Sequence, residues 1–310
     1  MEKDIFKNFI IALAPMAGVT DFAFRKICAD FGADMVVTEM ISAKAFEHDS
    51  KKTSNLLYEM EHSAIKSVQI FGHDEESIKN IVLSKEIEPF DIIDLNCGCP
   101  APKIVGNKDG SFMMSSIENT KKIIQTIRAN TNKLVSVKFR LGINGINNYI
   151  EFGKMCEECG VDFVCLHART REQQYGGEVD KSAYKKLVDA INIPVIWSGD
   201  ILTKEDVDYA KKIGCKGVMI GRGALGNPNI FAELKNKPIP YTKKEAAKLH
   251  FDLIRTKFKN DTVCFNYFKK HLAWYCKFLT NATDLKRQAV SVQNVEDVYN
   301  FIEKLPNDLN

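Results

Sequence analysis

The chain has 310 residues, 45% hydrophobic and 27% charged, with a formal net charge of +3. This composition suits a soluble globular protein with one large α/β domain and room for a small appendage. No apolar run approaches the ~18 residues of a membrane helix. The polar start MEKDIFKNFI has no signal-peptide apolar core, so a cytoplasmic protein with no membrane partner is expected. Nine cysteines, an odd number spread along a long chain, argue against a disulfide framework.

In chain order, short apolar runs alternate with amphipathic stretches. IIALAPM precedes TDFAFRKICADFG, and MVVTEM precedes a polar segment around residues 42–60. KSVQIFG is followed by DEESIKNIVLSKEIE, FDIIDLN by SSIENTKKIIQTIRANT, and LVSVKFRLG by NYIEFGKMCEECG. FVCLHAR leads to KSAYKKLVDAIN, IPVIWSGD to TKEDVDYAKKIG, and GVMIGRG to NPNIFAELKN. Eight strand-then-helix units in about 225 residues predict a (β/α)8 TIM barrel, whose typical length is ~250. The rival is a doubly wound open sheet. No Gly-x-Gly-x-x-Gly follows the first strand, and eight consecutive units suit closure better. Thr203 with Asp206 reads as a capped helix start, and Gly214 and Gly160 as helix ends.

Past Pro238 and Pro240 the strand signals stop. KKEAAKLHFDLIRTKF, FNYFKKHLAWYCKFL and NVEDVYNFIEKL predict three helices. The expected division is a barrel over 1–238 and a small C-terminal helical domain over 239–310. Residues 235–310 hold 14 Lys and Arg against 8 Asp and Glu, a net of +6 where the rest of the chain has −3. A basic tail on a mildly acidic body points to a polyanion partner, although a Lys-rich solvated surface explains the charge equally well.

A barrel builds its active site at the C-terminal ends of its strands. Those ends carry Pro15-Met16-Ala17, Glu39, Gln69, Asn96 to Cys99, Lys138 and Arg140, His167 and Arg169, Ser198-Gly199-Asp200, and Gly221-Arg222-Gly223. Lys138 and Arg140 are two residues apart and point the same way, as do His167 and Arg169. SGD and GRG fall after strands 7 and 8, where such barrels often bind phosphate, and glycines let backbone N–H groups approach an anion. Two tight turns with a surface arginine would explain either alone. Together they favour a phosphate-bearing cofactor, and FMN fits.

The run DIIDLNCGCPAPK places two thiols at a strand end, which raises a metal clip, a disulfide or a reactive thiol. Cys156 and Cys159, the second pair a metal would want, sit on a predicted helix below the strand ends, so no metal site is expected. They read as helix packing, and Cys97 as packing or strand-end support. Cys99 lies in a Gly-Cys-Pro turn over the mouth. A thiol with a pKa near ~8.5 is mostly protonated at neutral pH and can deliver a proton.

APMAGVTDFAFR, DLNCGCPAPK, VKFRLG, HARTREQQYGG, SGDI and GRGALGNP resemble, in order, the motifs of the dihydrouridine synthases. These flavoenzymes reduce uridine in tRNA to 5,6-dihydrouridine. KKHLAWYCKFL is similar to the family's helical tRNA-binding domain, and the motif style looks closest to the B-type bacterial branch. The resemblance implies FMN as cofactor, NADPH as reductant, and a monomer binding one tRNA. Pro15, Met16 and Ala17 would contact the flavin, and Gln69 and Lys138 would hydrogen-bond its ring. Asn96 would position ring or substrate. His167 would lie near the flavin with Arg169 beside it. Ser198, Gly199, Asp200, Gly221 and Arg222 would hold ribityl and phosphate. The family usually has Asn where this chain has Ser198. Flavin N5 would give a hydride to uracil C6 and Cys99 a proton to C5. Lys138 and Arg140 would stabilise charge on the flavin or uracil oxygens. In the tail, Lys269, Lys270, His271, Lys277, Lys286 and Arg287 are candidate phosphate contacts, and Trp274 or Tyr275 would pack or stack. The alternatives are a small-pyrimidine flavin oxidoreductase, similar to dihydroorotate dehydrogenase, and a non-catalytic tRNA-binding protein.

Overall fold

The computed structural model describes residues 5–48, 55–277 and 279–307. Eight parallel strands form a ring. They are β1 (Ile10–Leu13), β2 (Met35–Val37), β3 (Ile65–Phe71), β4 (Ile92–Cys97), β5 (Leu134–Arg140), β6 (Phe163–His167), β7 (Val195–Ser198) and β8 (Gly217–Ile220). Each pairs with the next, and β8 returns to β1 with Ile10 opposite Gly217. The sheet is a closed TIM barrel, as the eight repeated units predict.

The two-residue period of a strand sorts the side chains. Ile10, Ala12, Met35, Val37, Ile92, Phe163, Cys165, Ile196 and Met219 form one apolar cluster within the ring. Their neighbours in sequence, such as Ile11, Val36, Ile93, Val164 and Val218, pack outward in a second cluster under the helices. Phe6 meets Phe163 edge-on at 5.3 Å, packing against the N-terminal half of β6. Burying each such large apolar side chain contributes about 1.5–3 kcal/mol. The inward positions near the opposite end are polar: Gln69, Asp94, Asn96, Ser136, Lys138, Arg140 and His167. One face of each strand thus holds the barrel closed at one end and supplies chemistry at the other.

The barrel helices are α1 (Phe22–Asp30), α2 (Ala43–His48), α3 (Glu75–Val82), α4 (Pro102–Gly106), α5 (Ile117–Ala129), α6 (Tyr149–Glu158), α7 (Lys181–Ala190), α8 (Lys204–Lys212) and α9 (Ile230–Glu233). The Thr203–Asp206 capping box forms as its spacing predicts. Of the polar segment at 42–60, α2 is helical, and residues 49–54 lie outside the described residues.

Four helices follow: α10 (Lys243–Lys257), α11 (Asp261–Tyr275), α12 (Ala282–Ser291) and α13 (Val295–Ile302). The sequence pattern predicts three of them. It misses α12, a short and mostly polar run in which Ala289 is buried and Leu285 packs against the tail cluster. The tail does not build its core alone. Phe22, Ala23, Ile27 and Phe31, on or just after α1, join Phe251, Phe268, Leu272 and Phe301 in one buried cluster.

Candidate active site at the strand ends

Asn96 organises the mouth of the barrel. Its Oδ1 accepts the backbone N–H of Gly98 at 3.1 Å and of Cys99 at 2.9 Å. Its Nδ2 donates to Gln69 Oε1 at 2.7 Å. The Cys99 carbonyl accepts the Ser111 N–H at 3.0 Å, and Arg140 Nε donates to the Gly98 carbonyl at 2.7 Å. The turn that carries Cys99 is therefore held from three directions.

Among the described cysteines, Cys99 is the one that is not buried. Burial still pushes its thiol up, against the lowering pull of the Ala101 backbone N–H, Arg140 and Lys138. The thiol is protonated at neutral pH. Cys97 and Cys156 are fully buried in the apolar layer under the helices, which is the packing role expected of them.

Lys138 lies on β5, opposite Asn96 on one side and Cys165 on the other. Burial lowers its ammonium pKa. His167 is pushed down to about 2 by burial and then by Lys138, Arg140 and Arg169, so its ring is neutral at any working pH. Its Nε2 is 3.3 Å from Arg169 Nη1.

Arg140 and Arg169 carry their charge into the wall of the site. Arg140 Nη1 donates to the carbonyls of Thr170 at 3.0 Å and Gln174 at 2.8 Å. Arg169 Nε donates to the Gly176 carbonyl at 2.9 Å, and its Nη2 to the Gly177 carbonyl and to Asp200 Oδ2. Both side chains are buried. They fix the loop after β6, whose exposed Tyr175 lies 5.7 Å below Arg140 and 5.6 Å below Arg222.

At the ends of β7 and β8, Asp200 bridges two cations. Its Oδ1 accepts Arg222 Nη2 at 2.6 Å while Oδ2 takes Arg169. Burial raises the Asp200 carboxyl, but the hydrogen bonds from Arg169 and Arg222 win and hold it below the ordinary range. Gly199 has φ +119°, and a Cβ there would come within 2.8 Å of His167 Cδ2, so no larger residue fits. Ser198 ends β7 on the inward face, and its carbonyl accepts Tyr184 Oη–H at 2.8 Å. Gly221 faces Met16, whose Sδ would be 3.6 Å from a Cβ at that glycine. Pro15 and Met16 are half-buried and Ala17 exposed in the loop after β1.

The tail reaches this mouth. Lys270 Nζ occupies the space beside Gly18, 2.5 Å from where a Cβ would stand, and the Gly18 N–H is held by the Glu39 carboxylate. Lys277 Nζ donates to the Arg222 carbonyl at 3.2 Å. Lys269 lies over the Phe265 ring, and Lys286 and Arg287 are exposed on α12. His271 is buried against Asp21 and is not available to a phosphate, and Tyr275 is core.

Sequence reasoning did not single out Asp94, Ser136 or Tyr175. The first shares the strand parity of Asn96, two residues on, which was the available signal. A groove of about 620 Å³ between α3 and α5, lined by Glu75, Glu76, Lys79 and Lys122, is away from the strand ends and reads as solvated surface.

A family model described as "Dihydrouridine synthase (Dus)" matches residues 12–310. The tRNA-dihydrouridine synthase B of Vibrio parahaemolyticus is 32% identical over 291 residues, covering 91% of this chain and 90% of that protein. A probable tRNA-dihydrouridine synthase of Rickettsia conorii is 32% identical over 296 residues, covering 92% and 89%. The barrel resembles the old yellow enzyme homologue of Zymomonas mobilis at TM-score 0.55, with 12% identity, 76% of this chain and 93% of that one covered.

Proposed function

The chain belongs to the dihydrouridine synthase family, and from this we propose that it is an FMN-dependent tRNA-dihydrouridine synthase using NADPH as reductant. It reduces the C5=C6 bond of uridines in tRNA. The observation that carries the reading is the protonated Cys99 thiol, held by Asn96 above a mouth lined by Lys138 and a neutral His167.

The residues fit FMN. Gly199 and Gly221 leave the backbone open at the ends of β7 and β8, where Arg222 and Lys277 outweigh Asp200 in charge. These residues with Ser198 would hold ribityl and phosphate. In this reading the Asp200 carboxylate orients Arg222 toward the anion, because a direct contact between carboxylate and phosphate would repel. Pro15, Met16 and Ala17 would contact the ring. Gln69 uses one amide hydrogen on Asp94 and keeps a second for the ring. Lys138 supplies positive charge beside it.

When bound and reduced, FMN supplies a hydride for uracil C6. Cys99 delivers its proton to C5 from the opposite face. Lys138 offsets negative charge on the oxygens of the reacting ring. His167, neutral, donates or accepts a hydrogen bond without adding charge. Arg140 and Arg169 act by shaping the loop after β6, whose exposed Tyr175 would meet an extruded uridine. Lys269, Lys270, Lys286 and Arg287 contact tRNA phosphates. The protein acts in the cytoplasm as a monomer on one tRNA.

Incubation with unmodified tRNA and NADPH, followed by nucleoside mass spectrometry, tests this. The expected product is a uridine that has gained two hydrogens. Turnover of free pyrimidine with no change in tRNA would favour the small-molecule reading instead.

A further inference from the structure

Beneath the mouth, four polar side chains on three adjacent strands form one directional chain. Asp94 on β4 stands opposite Gln69 on β3 and Ser136 on β5. Ser136 Oγ–H donates to Asp94 Oδ1 at 2.7 Å, and Gln69 Nε2–H to Asp94 Oδ2 at 2.6 Å. With Nε2 committed downward, Gln69 must present Oε1 to Asn96, which donates through Nδ2 at 2.7 Å. Asn96 must then present Oδ1 to the Gly98 and Cys99 N–H groups. All four side chains are buried.

The geometry points to Asp94 as the positioning residue of the Cys99 turn: as an acceptor with no hydrogen of its own to give Gln69, it fixes which way the Gln69 and Asn96 amides face. Either amide in isolation fits its cavity in two orientations of nearly equal shape. Only one orientation leaves an oxygen under the Cys99 N–H. Burial pushes the Asp94 carboxyl up to about 6, against the opposing pull of Gln69, Ser136 and Lys138, so it is mostly ionised at neutral pH. A direct contact between Asp94 and substrate is not needed, and the role bears on catalysis only if Cys99 is the proton donor proposed above.

The substitutions separate cleanly. Asp94→Ala removes the acceptor and frees both amides. Asp94→Asn keeps the size but not the acceptor-only character, because Ser136 Oγ donates as readily as it accepts and leaves the new amide free to turn its Nδ2 toward Gln69. Ser136→Ala removes a partner of Asp94 that lies off the path to Cys99. Asp94→Leu fills the space that Ala leaves empty and is the second variant if Ala does not fold.

The experiment is the rate of iodoacetamide labelling at Cys99 in the protein as purified, with each cysteine followed by peptide mass spectrometry. The other eight cysteines are buried and report on unfolding. Loss of one hydrogen bond to the turn should speed Cys99 labelling about three- to tenfold in Asp94→Ala or Asp94→Leu, with the other eight still protected. Asp94→Asn should also label faster than the wild type, and Ser136→Ala should label at the wild-type rate. Wild-type labelling in a folded Asp94→Ala or Asp94→Leu would overturn the proposal, and so would a Ser136→Ala as fast as either. Labelling needs neither tRNA nor reductant, so its outcome is separate from whether the protein reduces uridine.

Discussion

Asp21 lies 2.8 Å from Nε2 of His271, across the junction between the barrel and its helical tail. The same carboxylate caps α1 through the N–H groups of Ala23 and Phe24, each at 3.0 Å, and His250 Nε2 is 3.4 Å from its Oδ1. A single buried side chain therefore starts a barrel helix and anchors two tail helices.

Removing it should cost stability twice, through the lost cap and through the lost carboxylate beside two buried histidines. Asp21→Ala is expected to lose about 2–4 kcal/mol in urea unfolding. The wild type should also weaken in acid. Burial raises Asp21, but His250 and His271 win and hold it below the ordinary carboxylate range. His271 is pushed down to about 4, first by burial and then by His250. Both folded-state values are depressed, so both contributions are present above the unfolded values and fade as pH falls. The His271 contribution fades between about 6.5 and 4, and that of Asp21 at lower pH. Urea midpoints at a series of pH values should fall through this window in the wild type and at least as steeply in Asp21→Asn, because the Asp21 carboxylate raises His271, while the further loss at lower pH should appear in the wild type alone.

Cys99→Ala removes the proposed proton donor but leaves the remainder of the mouth in place. Reduction by NADPH should proceed at the wild-type rate, while the tRNA-dependent step slows by ~10²–10⁴-fold. Stopped-flow absorbance separates the two half-reactions. Equal slowing of both would assign Cys99 to cofactor binding.

Arg222→Ala removes the exposed cation at the end of β8 and the partner of Asp200 Oδ1. Loss of a charge-assisted contact should weaken FMN retention by ~10–100-fold, measured by flavin fluorescence on dilution. Retention at the wild-type level would move the phosphate away from these loops.

Gly226 has φ +66°, and a Cβ there would stand 2.1 Å from the Trp274 carbonyl oxygen. The loop after β8 and the end of α11 touch backbone to backbone at this point. Gly226→Ala should destabilise by about 2–4 kcal/mol, from the left-handed conformation and the clash together. Thermal unfolding measures it directly.

Much of this architecture is legible in the sequence because it is local. Each strand shows as a short β-branched run, and the parity of Lys138 and Arg140, or of His167 and Arg169, follows from two-residue spacing. Partners distant in sequence are not legible. That Arg140 and Arg169 serve the carbonyls of Gln174 and Gly176 depends on how the loop after β6 folds back. That Asp94 meets Gln69 depends on the register of β3 against β4. His271 reads as one more basic residue in a basic helix until α1 brings Asp21 against it. Helix α12 carries a short version of the same signal, with Ala282, Leu285 and Ala289 at helical spacing, and is missed because the run is brief and mostly polar.

The most direct test of the account is anaerobic visible spectroscopy of the purified protein. NADPH should bleach a flavin spectrum, and unmodified tRNA should restore it. A protein with no flavin that cannot be reconstituted with FMN, yet binds tRNA, would contradict the catalytic reading.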